Sequence, residues 1–129
     1  MKWFSRLFSL LFISTTTMAD EVSRSVFALD IADREPVDIT EQADTYIDKL
    51  YFFTELNELA GETVTHRWNY AEEVMAEVSF EVGSDRWRVW SSKNMVPGWS
   101  GSWQVDVVSE SGEMLRSQTL LYGESLTVE

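Results

Sequence analysis

Glu62-Thr63-Val64-Thr65-His66-Arg67-Trp68-Asn69-Tyr70, the link Ala71-Glu72-Glu73, and then Val74-Met75-Ala76-Glu77-Val78-Ser79-Phe80-Glu81-Val82 form the stretch on which the fold turns. In the first run Val64, His66, Trp68 and Tyr70 share one face, and Thr63, Thr65, Arg67 and Asn69 share the other. In the second, Val74, Ala76, Val78, Phe80 and Val82 alternate with Met75, Glu77, Ser79 and Glu81. A period of two is that of a strand with one face in a core, so the two runs predict an antiparallel hairpin.

Toward the C-terminus, Gly83-Ser84-Asp85 turns the chain into a third alternating run, Arg86 to Ser92, with Trp87, Val89 and Ser91 against Arg86, Arg88, Trp90 and Ser92. Pro97-Gly98 and Ser100-Gly101-Ser102 punctuate a loop before Trp103 to Val107 resumes the alternation. Ser109 to Gly112 is a turn, and Met114 to Tyr122 a last strand. Toward the N-terminus, Tyr46 to Thr54 is aromatic and branched enough for a strand, with Glu55 to Ala60 a short link. Ser25 to Ile31 reads as a first strand that Glu35-Pro36 ends, because proline cannot donate to a ladder, and 32–44 as a long acidic connection. About seven short strands in a chain of this size predict an all-β fold, an antiparallel two-sheet β-sandwich of immunoglobulin-like type. A partly open β-barrel is the alternative.

The N-terminus carries Lys2 and Arg6, then an apolar stretch from Leu7 to Ile13, then Thr17-Met18-Ala19. This is the pattern of a signal peptide over residues 1–19, cleaved after Ala19. The stretch falls well short of the roughly 20 apolar residues that span a bilayer, so the mature chain, residues 20–129, is expected to have no transmembrane segment. It holds 8 basic residues against 22 acidic ones, a formal charge of −14. Such a chain repels nucleic acid and anionic lipid. With no cysteine, it forms no disulfide and offers no thiolate.

Catalytic material is sparse. His66 is the one histidine, and no nucleophile elbow, calcium loop or His-rich metal spacing occurs, so no enzyme activity, metal or cofactor is expected. His66 reads either as a core-edge imidazole or as a pH-sensitive or ligand-contacting group. Among the tryptophans, Trp87 and Trp103 lie on apolar faces and are expected to fill the core. Trp90 and Trp99 are expected to meet solvent, where a ring can anchor a protein partner or stack a sugar. Arg67, Arg86, Arg88 and Lys93 are half of the mature domain's eight basic residues. They are expected to pair with Glu77 and Glu81 of the neighbouring strand, or, where unpaired, to form a carboxylate-binding face.

Phe53-Thr54-Glu55-Leu56, then Gly61 to Tyr70 with its His66-Arg67-Trp68, then Arg86-Trp87-Arg88-Val89-Trp90-Ser91-Ser92-Lys93, then Gly101-Ser102-Trp103, occur in that order. The order resembles the DUF2914 family of bacterial domains of unknown function, over roughly Val26 to Tyr122. The resemblance implies a small β-sandwich in exported or membrane-attached envelope proteins of Gram-negative bacteria, hence the periplasm, and brings no established activity. Its motif positions here are His66, Trp68, Trp87, Arg88, Ser91, Ser92, Lys93, Gly101 and Trp103. One departure is Ala71-Glu72-Glu73, where a glycine is expected. The sequence thus predicts a non-enzymatic envelope module that docks a protein partner through a sheet face carrying Arg88, Trp90, Ser92 and Lys93, with Arg86, His66, Trp68 and Trp99 as further contacts. Trp87, Trp103 and Gly101 would be scaffold, and a glycan-binding module is the alternative.

Overall fold

A computed structural model describes residues 21–123. It contains nine strands among them: β1 (Val22–Ala32), β2 (Glu35–Thr40), β3 (Gln42–Ala43), β4 (Lys49–Asn57), β5 (Thr63–Tyr70), β6 (Glu73–Glu81), β7 (Arg86–Asn94), β8 (Gly101–Val108) and β9 (Met114–Tyr122). They form a four-stranded sheet in the order β2-β1-β4-β7 and a five-stranded sheet in the order β3-β9-β8-β5-β6. All pairs are antiparallel except the two-residue β3 beside β9. The sandwich read from the alternation is therefore present, and the hairpin that decided it is β5–β6. The expected leader, residues 1–19, lies outside the described residues.

Between the sheets, the inward residues of each strand meet in one core. Phe27, Leu50, Phe52 and Leu56 come from one side, and Val64, Trp68, Trp103, Val105, Val107, Leu120 and Tyr122 from the other. Edge-on aromatic contacts cross the interface, with Phe27 and Trp68 at 6.0 Å and Phe52 and Trp68 at 6.5 Å between centroids. Core residues of this size, fully removed from water, contribute about 1.5–3 kcal/mol each.

Four expectations need correction. The acidic connection over 32–44 contains two strands, and β2 pairs with β1 through Ala28↔Ile39, Asp30↔Val37 and Ile31↔Pro36. Pro36 is tolerated because β2 is a sheet edge. The turn between them, Asp33 (φ 52) and Arg34 (φ 64), is left-handed at both residues without any glycine, which hid it from a turn search. Ala71 (φ 52) and Glu72 (φ 65) repeat the device in β5–β6, so the link there is two residues rather than three. Glu55 belongs to β4, not to a link. Finally, β6 pairs Trp68 with Ala76 but Asn69 with Val74, leaving Met75 as a bulge. The bulge reverses the phase, so Val74 is 55% exposed and Met75 packs on the core.

The β1–β2 hairpin does not continue flat. Pairing of β1 with β4 ends at Ala28↔Tyr51. Glu35 is cross-strand from Ala32, which a straight β1 would place roughly 26 Å from Arg24 at about 3.3 Å per residue. Yet Arg24 Nη1 donates to Glu35 Oε1 at 2.9 Å. The hairpin is thus an arm that bends back over the outer face of the four-stranded sheet.

Candidate functional site: an arginine cleft

Strand β7 presents its residues alternately to the two faces. Val89 and Ser91 are buried toward the core, and Trp87 packs half-buried against it. Arg86, Arg88, Trp90 and Ser92 point outward, opposite Asn57, Glu55, Phe53 and Tyr51 of β4. Phe53 is outward too, yet has no exposed surface: Trp90 stacks beside it at 6.4 Å, and the Arg24 guanidinium lies 4.8 Å over its ring.

Beside this aromatic pair, the arm closes a cleft of about 420 Å³ lined by Arg24, Arg34, Glu35, Glu55, Arg86, Trp87 and Arg88. Glu55, nearly buried, accepts from Arg86 Nε at 2.8 Å and from Arg24 Nε at 2.9 Å. Hydrogen bonding to Arg86 and Arg24 holds its carboxyl below the usual range against the opposing effect of burial. Glu35 accepts from Arg24 through both terminal nitrogens, at 2.9 and 3.1 Å, and from Arg88 Nη1. Those bonds, Arg24's foremost, push Glu35 down to about 2. All three Arg24 nitrogens are consequently engaged, and its own pKa is raised, by Glu35 first.

The other cations are engaged less fully. Arg86 engages Glu55 through Nε while its side chain is 80% exposed. Arg88 uses Nη1 for Glu35. Arg34, at the tip of the arm, has no carboxylate in ion-pair reach among the described residues. Four guanidinium groups thus face two carboxylates, and most of the N–H donors left over are those of Arg34, Arg86 and Arg88.

The pairing expected with Glu77 and Glu81 is met only in part. Arg67 donates to Glu77 at 3.0 Å. Arg86 and Arg88 cannot follow, because β7 belongs to the sheet opposite β6 and finds Glu55 and Glu35 instead. Lys93 also departs from the proposed face: it has the parity of Ser91. Its Nζ lies 4.4 Å from the Trp99 centroid and 5.8 Å from that of Trp103, where partial burial lowers its pKa. Trp99 sits on the 3-10 turn Pro97–Trp99 and accepts from Trp103 Nε1 at 2.8 Å through its carbonyl. Trp90 and Trp99 therefore lie at separate places and make no common stacking platform. Ser92 is exposed opposite Tyr51. Trp87 covers Gly83, where a Cβ would meet its ring at 2.7 Å. Gly101 opens β8 at φ 127, which a side chain rarely adopts.

His66 and Trp68 are fully buried, which removes them from any surface contact. They anchor a polar chain that crosses between the sheets. Trp68 Nε1–H donates to Ser91 Oγ at 3.0 Å, and Ser91 Oγ is 2.8 Å from His66 Nδ1. His66 Nε2 is 3.0 Å from Thr54 Oγ1, which in turn lies 3.5 Å from the Val89 carbonyl. With the proton on Nε2, every donor finds one acceptor: Trp68 to Ser91, Ser91 to His66, His66 to Thr54, and Thr54 to Val89. Burial pushes His66 down to about 3, so the ring is neutral. A base role needs a route to solvent, and this imidazole has none.

Arg24, Arg34, Glu35 and Glu55 complete the cleft and were missed from sequence. Glu55, a carboxylate in the apolar run Leu50 to Leu56, was the one usable signal: it demanded a cationic partner.

Residues 61–119 match the model of a family described as protein of unknown function, DUF2914. The resemblance read from the motifs is thereby found, over a shorter span that begins at Gly61 and so excludes the Phe53-Thr54-Glu55-Leu56 segment. That family carries no enzymatic description. No curated protein matches the sequence. Among solved structures, the chain is similar to an endonuclease/exonuclease/phosphatase from Beutenbergia cavernae DSM 12333, at 15% identity and a TM-score of 0.39, covering 60% of this chain and 22% of that one. The chain thus spans about a fifth of that protein's length, and the likeness is too loose to bear on fold or activity. No helix among the described residues is long and apolar enough to cross a membrane.

Proposed function

We propose that the protein is a non-enzymatic binding module, exported to the cell envelope by its leader, that docks a carboxylate-bearing protein partner in the arginine cleft. One observation carries this reading. A chain of net charge −12 gathers four arginines around two carboxylates, and leaves Arg34 without an ion-pair partner among the described residues. Guanidinium groups bind carboxylates in a fixed fork, and charge-assisted bonds of this kind are about twice as strong as neutral ones. Trp90, stacked on Phe53 beside the cleft, supplies the apolar contact that an interface anchor needs. Glu35 and Glu55 hold the arginines in place rather than cancel them.

The test compares acidic and neutralised probes. Fluorescence anisotropy with a glutamate-rich peptide should give binding that weakens steeply with salt, and replacing its glutamates by glutamine should remove it. Equal binding of both peptides, or binding indifferent to salt, would contradict the reading. Cell fractionation with mass spectrometry of the mature N-terminus checks export: the account expects Asp20 as the first residue in the envelope fraction, and the full-length chain in the cytosol would contradict it.

A further inference from the structure

Among the described residues, strand β7 ends its sheet, with β4 on one side and no strand on the other. Along that open side runs a slot of about 280 Å³ lined by Trp87, Arg88, Val89, Trp90, Phe80 and Arg34. Consecutive strand residues point to opposite faces, so a cavity touched by four in a row lies along the strand's edge rather than over one face. An edge of this kind presents unpaired N–H and C=O groups, the template for another strand.

We infer that the partner segment is an extended peptide of alternating acidic and apolar residues, which adds to the sheet as a strand along β7. This rests on the carboxylate-docking reading and names the form its ligand takes. The alternation follows from the walls of the slot. Arg34 and Arg88 stand on the outer side, where a carboxylate would meet their free donors. Phe80 and Trp87 stand on the inner side, both packed against the core and half-exposed. A strand inserted between them turns successive side chains to these two walls in turn. A helix, about 10 Å across, does not match an edge whose next strand belongs about 4.8 Å away.

The test uses a labelled peptide of alternating glutamate and valine and two derivatives, one N-methylated at every glutamate amide and the other at every valine amide. In an added strand only one of these sets faces β7, so one derivative should bind at least about tenfold more weakly and the other within about threefold of the parent. Equal affinity of the two derivatives would overturn strand addition while leaving carboxylate docking intact. Failure of the parent peptide to bind would overturn both readings. Should the protein self-associate through this edge, with peptide and dimer competing, a second copy would be the occupant and the inference would fall.

Discussion

Ser91 and Arg88 stand three positions apart on one strand and belong to two different kinds of polar site. Around Ser91 the donors and acceptors are matched one to one, sealed between the sheets, and neutral. Around Arg88 the groups are charged, in contact with solvent, and in excess on the cationic side. A buried polar group must be satisfied at folding, so a finished network belongs to stability. A surface group carries no such demand, and unsatisfied donors gathered in a cleft are what a ligand can complete. The motif residues His66, Trp68 and Ser91 fall on the first side of this division, and the motif residue Arg88, with Trp90 beside it, on the second.

The contrast can be broken experimentally, and the largest effect is expected inside. Ser91→Ala would leave His66 Nδ1 and Trp68 Nε1–H without their common partner, at a cost of about 2–4 kcal/mol by urea unfolding, with affinity for an acidic peptide unchanged. His66 also sets a pH dependence. Its folded pKa is depressed to about 3, so below about 6.5 the unfolded chain binds a proton that the folded chain refuses. Stability should fall with pH by up to about 1.4 kcal/mol per unit over that window, and His66→Gln should flatten the slope. A slope unchanged in His66→Gln would contradict the buried neutral ring.

The outer site should respond less in stability. Glu35 is held near 2, so its contribution is present above about 4.5 and is lost as pH falls from there through about 2. Acid should therefore release the arm from Arg24 and Arg88, visible as shifts in their guanidinium resonances. Glu35→Gln should mimic that release at neutral pH with little change in the urea unfolding midpoint.

How much of this was legible in the sequence follows from the range of each interaction. The alternation over 62–82 gave the hairpin and the sandwich because a half-buried strand writes its period locally. The phase of Val74 was lost because a bulge costs one residue that no side chain announces. The arm was invisible because its left-handed turn, Asp33-Arg34, lacks glycine, and Pro36 argued against a strand that edge position permits. Arg88 and Trp90 were found as an outward pair from parity alone. By the same rule, Lys93 belonged with Ser91, and the expectation that grouped it with Trp90 departed from parity. Arg24, Arg34 and Glu35 reach the cleft only through the bend of the arm, a tertiary fact with no local mark.

The most direct test of the division is the affinity of two folded variants for the alternating glutamate–valine peptide. Arg34→Gly keeps the left-handed turn and should relieve it, so unfolding stability should hold or rise by less than about 1 kcal/mol, while the affinity should drop about tenfold. Ser91→Ala should do the opposite, losing stability and keeping affinity. An Arg34→Gly protein that binds as the wild type does, beside a folded Ser91→Ala protein that has lost binding, would contradict the account by placing the recognition site between the sheets.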